Sequence, residues 1–378
     1  MKDARSAATK NEKRQFIIMK KSLPIIIIAL TAVAIFVAGF FIGKSQNNPA
    51  ETTASTETAK TAETAKSAEA TSENSAPDGT PVKAHGKLTV DGATLKDQNG
   101  EKFQLRGVST HGLAWFPQYV NADAFRTMRD SWGINTVRLA MYTDPSAGYS
   151  ESIHEKVKEG VKYATDLGLY VIIDWHILSD YNPNMHKSEA LKFFREMAGL
   201  YKDNLSVLYE ICNEPNGDAE WSRDIKPYAE ELISAIRTID DDAIILVGSS
   251  TWSQDIDKVA ENPLSGVSNV MYTVHFYAAT HKDWLRNKVS AALDKGIPVF
   301  ISEFGISDAS GNGALDYSEA GQWLSLLNSR GVSFVIWNLS NKNESSALLT
   351  PENSKTSGWA HSDLSPQGQW FVDTAMKS

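Results

Sequence analysis

Val207-Leu-Tyr-Glu-Ile-Cys-Asn-Glu-Pro215 and Pro298-Val-Phe-Ile-Ser-Glu-Phe-Gly305 are built alike: a short apolar run, rich in β-branched and aromatic residues, that closes on a glutamate. Runs of this length, bounded by turn residues, mark strands buried on both faces. Working outward, the same kind of run recurs at 104–107, 135–139, 170–174, 244–247, 270–274 and 334–337, which with 207–211 and 299–302 gives eight predicted strands. Most are separated by amphipathic segments, among them 122–131, 188–201, 227–239 and 284–295. Strand alternating with helix eight times predicts an α/β fold, the (β/α)8 TIM barrel, in which every strand ends at one mouth. A doubly wound open sheet would want a Gly-rich phosphate loop after its first strand, and Arg106-Gly-Val-Ser-Thr-His111 does not supply one. Ahead of the barrel, Leu88-Thr-Val90 and Phe103-Gln-Leu105 around Asn99-Gly100 predict a small hairpin that plugs or flanks it.

The rest of the chain divides by composition. Residues 22–43 carry no charge over 22 positions. As a helix they would extend about 33 Å, enough to span the hydrocarbon core of a bilayer and too long for the apolar part of a cleaved signal peptide. Residues 1–21 hold seven Lys/Arg against two Asp/Glu. Basic residues ahead of a span stay inside, so the expectation is a cytoplasmic tail (1–21), a membrane anchor (22–43) and an extracellular remainder, with secretion after cleavage as the alternative. Residues 44–83 are Thr-, Ala-, Ser- and Glu-rich and lack aromatics, which predicts a flexible linker reaching roughly 35 Å. Residues 84–378 are the predicted catalytic domain, expected to be a monomer. Net charge is −9, and −14 without the basic tail, which argues against nucleic acid as a partner. The single cysteine, Cys212, rules out an intramolecular disulfide.

The predicted strand ends gather an unusual set of residues: His111 and Trp115; Arg138 and Tyr142; Trp175 and His176; Asn213 and Glu214; Ser250 and Trp252; His275 and Tyr277; Glu303; Trp337. Two carboxyl groups facing one substrate bond are the minimum equipment for hydrolysing a glycoside, one as acid and the other as nucleophile or base. Arg138 and the Tyr277 hydroxyl are expected to hold Glu303 ionised, which leaves Glu214 as the acid. Asn213 suits a sugar hydroxyl, Trp115, Trp252 and Trp337 offer stacking faces, and His176 and His275 can orient either carboxylate. Three strand-end histidines with nearby acids can also hold zinc, but no His-x-His pair or His-Glu-x-x-His helix is present, so no metal or other cofactor is expected. Gly-x-Ser-x-Gly, the mark of a serine nucleophile elbow, is missing as well.

Taken in order, His111-Gly-Leu-Ala-Trp-Phe116, Trp132-Gly-Ile-Asn-Thr-Val-Arg-Leu-Ala-Met-Tyr142, Asp174-Trp-His-Ile-Leu-Ser-Asp180, Tyr209-Glu-Ile-Cys-Asn-Glu-Pro215, Val274-His-Phe-Tyr-Ala278, Ser302-Glu-Phe-Gly305 and Trp337-Asn-Leu-Ser-Asn-Lys-Asn-Glu344 resemble glycoside hydrolase family 5, in its bacterial endo-β-1,4-glucanase branch. The resemblance covers about residues 84–345 and implies a retaining double displacement on β-glucan. Glu214 would be the acid/base and Glu303 the nucleophile, with Arg138, Asn213, His176, His275 and Tyr277 around them. His111, Trp115, Tyr142, Trp252, Trp337, Lys342 and Glu344 would line the substrate cleft. No carbohydrate-binding module follows the barrel, so soluble or amorphous glucan is expected over crystalline cellulose. Mixed-linkage glucan, mannan and xyloglucan are alternative substrates for the same machinery. A non-catalytic β-glycan-binding module is the alternative from another class.

Overall fold

The computed structural model describes residues 76–378; the expected membrane anchor and nearly all of the linker lie outside the described residues. No helix among the described residues is long and apolar enough to cross a membrane. Eight parallel strands close into a barrel: β1 (Arg106–Thr110), β2 (Thr136–Tyr142), β3 (Tyr170–His176), β4 (Val207–Glu210), β5 (Ile244–Val247), β6 (Val270–Tyr277), β7 (Val299–Gly305) and β8 (Phe334–Leu339). Each is followed by a helix: α1 (Ala122–Thr127), α2 (Ile153–Asp166), α3 (Lys187–Tyr201), α4 (Lys226–Arg237), α5 (Ile256–Glu261), α6 (Asp283–Asp294), α7 (Tyr317–Arg330) and α8 (Pro366–Trp370). The predicted barrel stands, with β1 displaced toward Thr110 relative to the expected 104–107.

Alternation along each strand sorts the side chains into two cores. Val137, Leu139, Val171, Ile173 and Trp175 point outward and pack with helix residues such as Phe125, Phe193, Phe194 and Trp323. Trp175 is fully buried there, 5.4 Å from the Phe193 ring, so the strand-end position read from sequence does not put it in the mouth. Its neighbours Asp174 and His176 face inward instead.

The inward residues change character with height. Near the strand starts Tyr170, Ile172, Leu208, Ile244, Leu246, Met271, Phe300 and Val335 form one apolar cluster, closed from below by Val82, Leu88, Leu95 and Leu105. Ala76, Val90 and Phe103 pack against the same cluster, so the chain enters the domain at this floor. Val82 lies in a short helix, Pro81–His85, and its N–H donates to Gly168 O at 2.9 Å; the ordered domain therefore begins ahead of the expected boundary at 84.

The floor also corrects the hairpin. Thr89–Asp91 pairs with Thr94–Lys96 instead of with 103–105. Gly92, at φ 57°, permits a two-residue turn directly after Asp91, and that tight closure takes precedence over the longer loop through Asn99-Gly100. The latter adds only a single bridge, Lys96 to Lys102.

Candidate active site

Above the apolar cluster the barrel lumen turns polar. Arg138 on β2 is fully buried and divides its guanidinium among several acceptors. Nε and Nη2 donate to the two oxygens of Glu210 at 2.7 and 3.1 Å, Nη2 also meets Asn213 Oδ1 at 2.5 Å and Asp174 Oδ2 at 3.0 Å, and Nη1 reaches Glu303 Oε2 at 3.4 Å. Arg138 reaches Glu303 as the sequence predicts, but by one long contact, and its fork grips Glu210. Asp174, Glu210 and Ser302 are the functional neighbours that strand-end reading missed. The signal was present in Asp174 and Glu210 as single acids inside otherwise apolar strands, where an interior charge needs a partner.

Burial alone would raise the Glu210 carboxyl, but Arg138 and His275 outweigh it and bring it down to about 2. Asp174 is pushed well above the usual range, first by burial, with Arg138 opposing. Asp174 Oδ2 accepts from His176 Nδ1 at 2.7 Å, which leaves the His176 Nε2 lone pair beside the Asn213 amide at 3.4 Å. Burial and Arg138 hold His176 well below the ordinary imidazole range, so it is neutral.

The two glutamates stand over this layer. Glu303 lies near the end of β7, where the β6–β7 register shifts between Thr273 and His275 and resumes with His275 opposite Glu303. The shift lets the successive residues Ser302 and Glu303 both serve the site, which plain alternation would forbid. Tyr277 donates its hydroxyl to Glu303 Oε1 at 2.8 Å. Glu214, four residues past the end of β4, meets His275 Nδ1 at 2.9 Å. One atom from each of Glu214, His275 and Glu303 lies within 4.8 Å of the others. Metal shells show similar spacing, but these atoms are already paired, Glu214 with His275 and Glu303 with Tyr277, so the trio fits proton chemistry better than an ion.

Burial, and then the nearby Glu214 charge, push the Glu303 carboxyl up to about 7, against the opposing pull of His275, Arg138 and Tyr277. For His275 burial is the largest influence and lowers it, yet the facing Glu210 and Glu214 carboxyl groups prevail and raise it to about 9.

The pair opens into a cleft of about 520 Å³. Of the residues expected there, His111, Tyr142, His176, Trp252, Lys342 and Glu344 line it, together with Trp337. Trp337 stacks on His176 with ring centroids 5.1 Å apart and forms the floor. Trp115 stands just outside, 48% exposed and stacked 5.3 Å from Tyr142. Lys342 pairs with Glu344 at 2.7 Å and approaches His111 Nε2 at 3.5 Å. Burial and Lys342 lower His111 to about 3. Trp252 is half exposed on a turn whose residues Thr251, Trp252 and Ser253 all have left-handed φ. Its N–H donates to Pro215 O at 3.0 Å, and Ser253 Oγ donates to Asn213 O at 2.7 Å, so this turn is fastened to the segment that carries Glu214. Cys212 is buried, its thiol raised by burial, and takes no part.

Residues 96–343 match the family described as Cellulase (glycosyl hydrolase family 5). The chain belongs to glycosyl hydrolase family 5. Among relatives of this family 5 chain, "Endoglucanase 5" of Pectobacterium carotovorum subsp. carotovorum is 50% identical over 298 residues, covering 78% of this chain and 59% of the relative. An "Endoglucanase" of Clostridium saccharobutylicum is 51% identical over 285 residues, 75% of this chain and 63% of the relative. The chain thus spans about three fifths of the length of these relatives. The catalytic domain of Thermobifida fusca endoglucanase Cel5A, solved in complex with cellotetraose, superposes with a TM-score of 0.74 at 36% identity over 79% of this chain and 100% of that domain.

Proposed function

We propose that this family 5 chain hydrolyses internal β-1,4-glucosidic bonds in cellulose or related soluble β-glucans by a retaining double displacement. The observation that carries the reading is the Glu214–Glu303 pair, with carboxylate oxygens within 4.8 Å of each other over an aromatic floor. Retaining pairs stand about 5–5.5 Å apart, whereas inverting pairs leave about 6.5–9.5 Å for a water between them. Glu303 attacks the anomeric carbon while Glu214 protonates the departing glycosidic oxygen; the C–O bond breaks and a glycosyl ester forms on Glu303. Glu214 then takes a proton from water, which attacks the ester and returns Glu303 as a carboxylate. Tyr277 holds Glu303 in line, and Trp115, Trp252 and Trp337 offer faces to successive rings, while Asn213, read from sequence as a partner of the sugar 2-hydroxyl, is buried with its amide bonded to Arg138 and Ile177. The cellotetraose bound by the Thermobifida fusca relative supports a β-glucan chain as occupant. The charge-free run 22–43 supports attachment to a membrane with the barrel outside.

Reducing-sugar release from carboxymethyl cellulose, beside mixed-linkage glucan, mannan and xyloglucan, tests the substrate. Fastest cleavage of the cellulose derivative is expected. Faster cleavage of mannan would move the substrate, and binding without any cleavage would make the domain a β-glycan-binding module. Fractionation of cells expressing the full chain and a variant lacking residues 1–43 tests the anchor: activity should move from the membrane pellet to the soluble fraction, and an unchanged distribution would remove it.

A further inference from the structure

Among the described residues, five other than glycine hold a left-handed φ: Tyr181, Thr251, Trp252, Ser253 and Asn269. Asn269 precedes β6 at the floor end and is of a type that tolerates this region. The other four stand in the loops after β3 and β5, which flank the loop carrying Glu214. Tyr181 is the one of these four without a part in the site. An aromatic residue at φ 54° gives up backbone energy that glycine would keep, and such strain persists only where neighbouring bonds impose it. Those bonds are present. Tyr181 N–H donates to Leu178 O at 3.2 Å, and within the same turn the buried Asp180 accepts from Thr143 Oγ1 at 2.6 Å and from Leu178 N–H at 2.7 Å. Asn216 clasps the turn from the loop after β4, its N–H donating to Tyr181 O at 2.9 Å and its side-chain amide to Leu178 O at 2.7 Å. The ring returns little of the cost as burial, since Tyr181 is 53% exposed. It lies against Gly217, where an added Cβ would stand 3.4 Å from its Cδ1.

Tyr181 and Trp252 are fastened to a single peptide group. The C=O of the Pro215–Asn216 peptide accepts from Trp252 N–H at 3.0 Å, and its N–H donates to Tyr181 O at 2.9 Å. In a trans peptide these two groups point opposite ways, so the two exposed aromatic residues flank the chain just after Glu214. Leu178, where the Tyr181 turn begins, and Trp252 both line the cleft. Glu214 gives its proton to the departing oxygen, so the leaving part of the glucan runs over this segment. We propose that Tyr181 is a substrate-binding residue that carries a glucose ring of the leaving chain beyond the ring met by Trp252. This rests on the reading of Glu214 as the acid and of β-glucan as the substrate. A flat ring on a backbone already fixed by hydrogen bonds offers a sugar an apolar face with little left to order, which is what makes a preorganised contact effective. The left-handed backbone then has a use: it holds a tyrosine at the rim of the mouth where a relaxed turn would carry glycine.

Tyr181→Gly and Tyr181→Asn both accept the left-handed backbone and remove the ring, whereas Tyr181→Phe keeps the ring. Two substrates isolate the leaving side: cellohexaose, which places sugars on both sides of the cut, and β-cellobiosyl fluoride, which releases only fluoride and leaves that side empty. The ratio of kcat/KM on cellohexaose to that on the fluoride should fall about threefold to tenfold in Tyr181→Gly and Tyr181→Asn, the size of one aromatic contact, and hold within about twofold in Tyr181→Phe. The melting temperature of Tyr181→Gly should be equal or higher, because the backbone strain is relieved. An unchanged ratio in either ring-less variant overturns the proposal, and so does a fall in Tyr181→Phe as deep as that in Tyr181→Gly. A lower melting temperature in Tyr181→Gly with an unchanged ratio would make the tyrosine a purely structural residue. Wild type that cleaves the fluoride but never cellohexaose would sink the endo-acting reading itself, whereas cleavage of both with no effect at Tyr181 sinks this proposal alone.

Discussion

The lower and upper halves of the barrel lumen are built from the same strands yet hold together by opposite means. Below, Tyr170, Ile172, Leu208, Met271 and Phe300 pack against the floor residues Val82, Leu88 and Leu95. Burial of apolar area stabilises that half at about 25 cal/mol per Å², and it tolerates changes of partner so long as volume is kept. Above, two to four residues further along β3, β4 and β6, stand Asp174, Glu210 and His275, joined by Arg138 from β2, all shielded from water. There each group depends on a particular neighbour, since a buried charge without its partner costs several kcal/mol. The lesson is that position along a strand, rather than the strand itself, decides whether a substitution is felt as lost volume or as lost charge balance.

Substitutions can break this contrast or sharpen it. Glu303→Gln should reduce kcat at least about ten-thousandfold, equivalent to about 5 kcal/mol in the barrier, while leaving the melting temperature equal or higher because a repulsive charge is gone. Activity and calorimetry on one preparation check both halves of that statement. Arg138→Ala strands three buried carboxylates and should cost about 3–5 kcal/mol in urea unfolding, with activity lost as well. Phe300→Ala, in the lower half, should cost a similar amount, about 3–5 kcal/mol, while the protein that remains folded keeps its kcat within a few fold. A large kcat loss there would show that the halves are not independent.

The smaller effects concern pH and binding. Glu303, raised to about 7, must be ionised to attack, and His275, which meets Glu214, loses its proton near 9. The kcat/KM profile should therefore rise through about 7 and fall through about 9. Stability should run the other way. Both folded-state values lie above the ordinary 4.5 and 6.5, so the native state binds more protons than the unfolded chain between them. Their contribution is complete at low pH and is lost as pH climbs through about 7 and then about 9, and the double variant Glu303→Gln/His275→Gln should flatten that decline in a denaturation series. Least of all, Trp115→Ala should weaken cello-oligosaccharide binding by about 1 kcal/mol in titration calorimetry with no change in melting temperature, since its ring is half exposed.

Much of this was legible in the sequence. The β-branched runs mark the strands because a strand covered on both faces has no solvent side to encode, and Glu214, Glu303, His275 and Tyr277 stand at strand ends where a barrel gathers its chemistry. What escaped depends on partners chosen in three dimensions. Arg138 reads as the companion of Glu303, but the registers of β2, β3 and β4 bring Glu210 and Asp174 closer. Ser302 looks like any small strand residue until the β6–β7 register shift sets it against His275. Trp175 was misplaced because strict alternation sends it outward between two inward neighbours, and the hairpin because the turn at Gly92 closes sooner than the one at Gly100.

The entry of the chain at the floor has a practical consequence. Ala76 and Val82 lie against the closed, apolar end of the lumen, and the strands run from there toward the cleft. Residue 76 therefore lies at the far pole from the cleft. A barrel coupled to a bead or an electrode through its N-terminal side would turn its open end to the bulk liquid, where a polymer too large to diffuse into a pore can still be threaded across it.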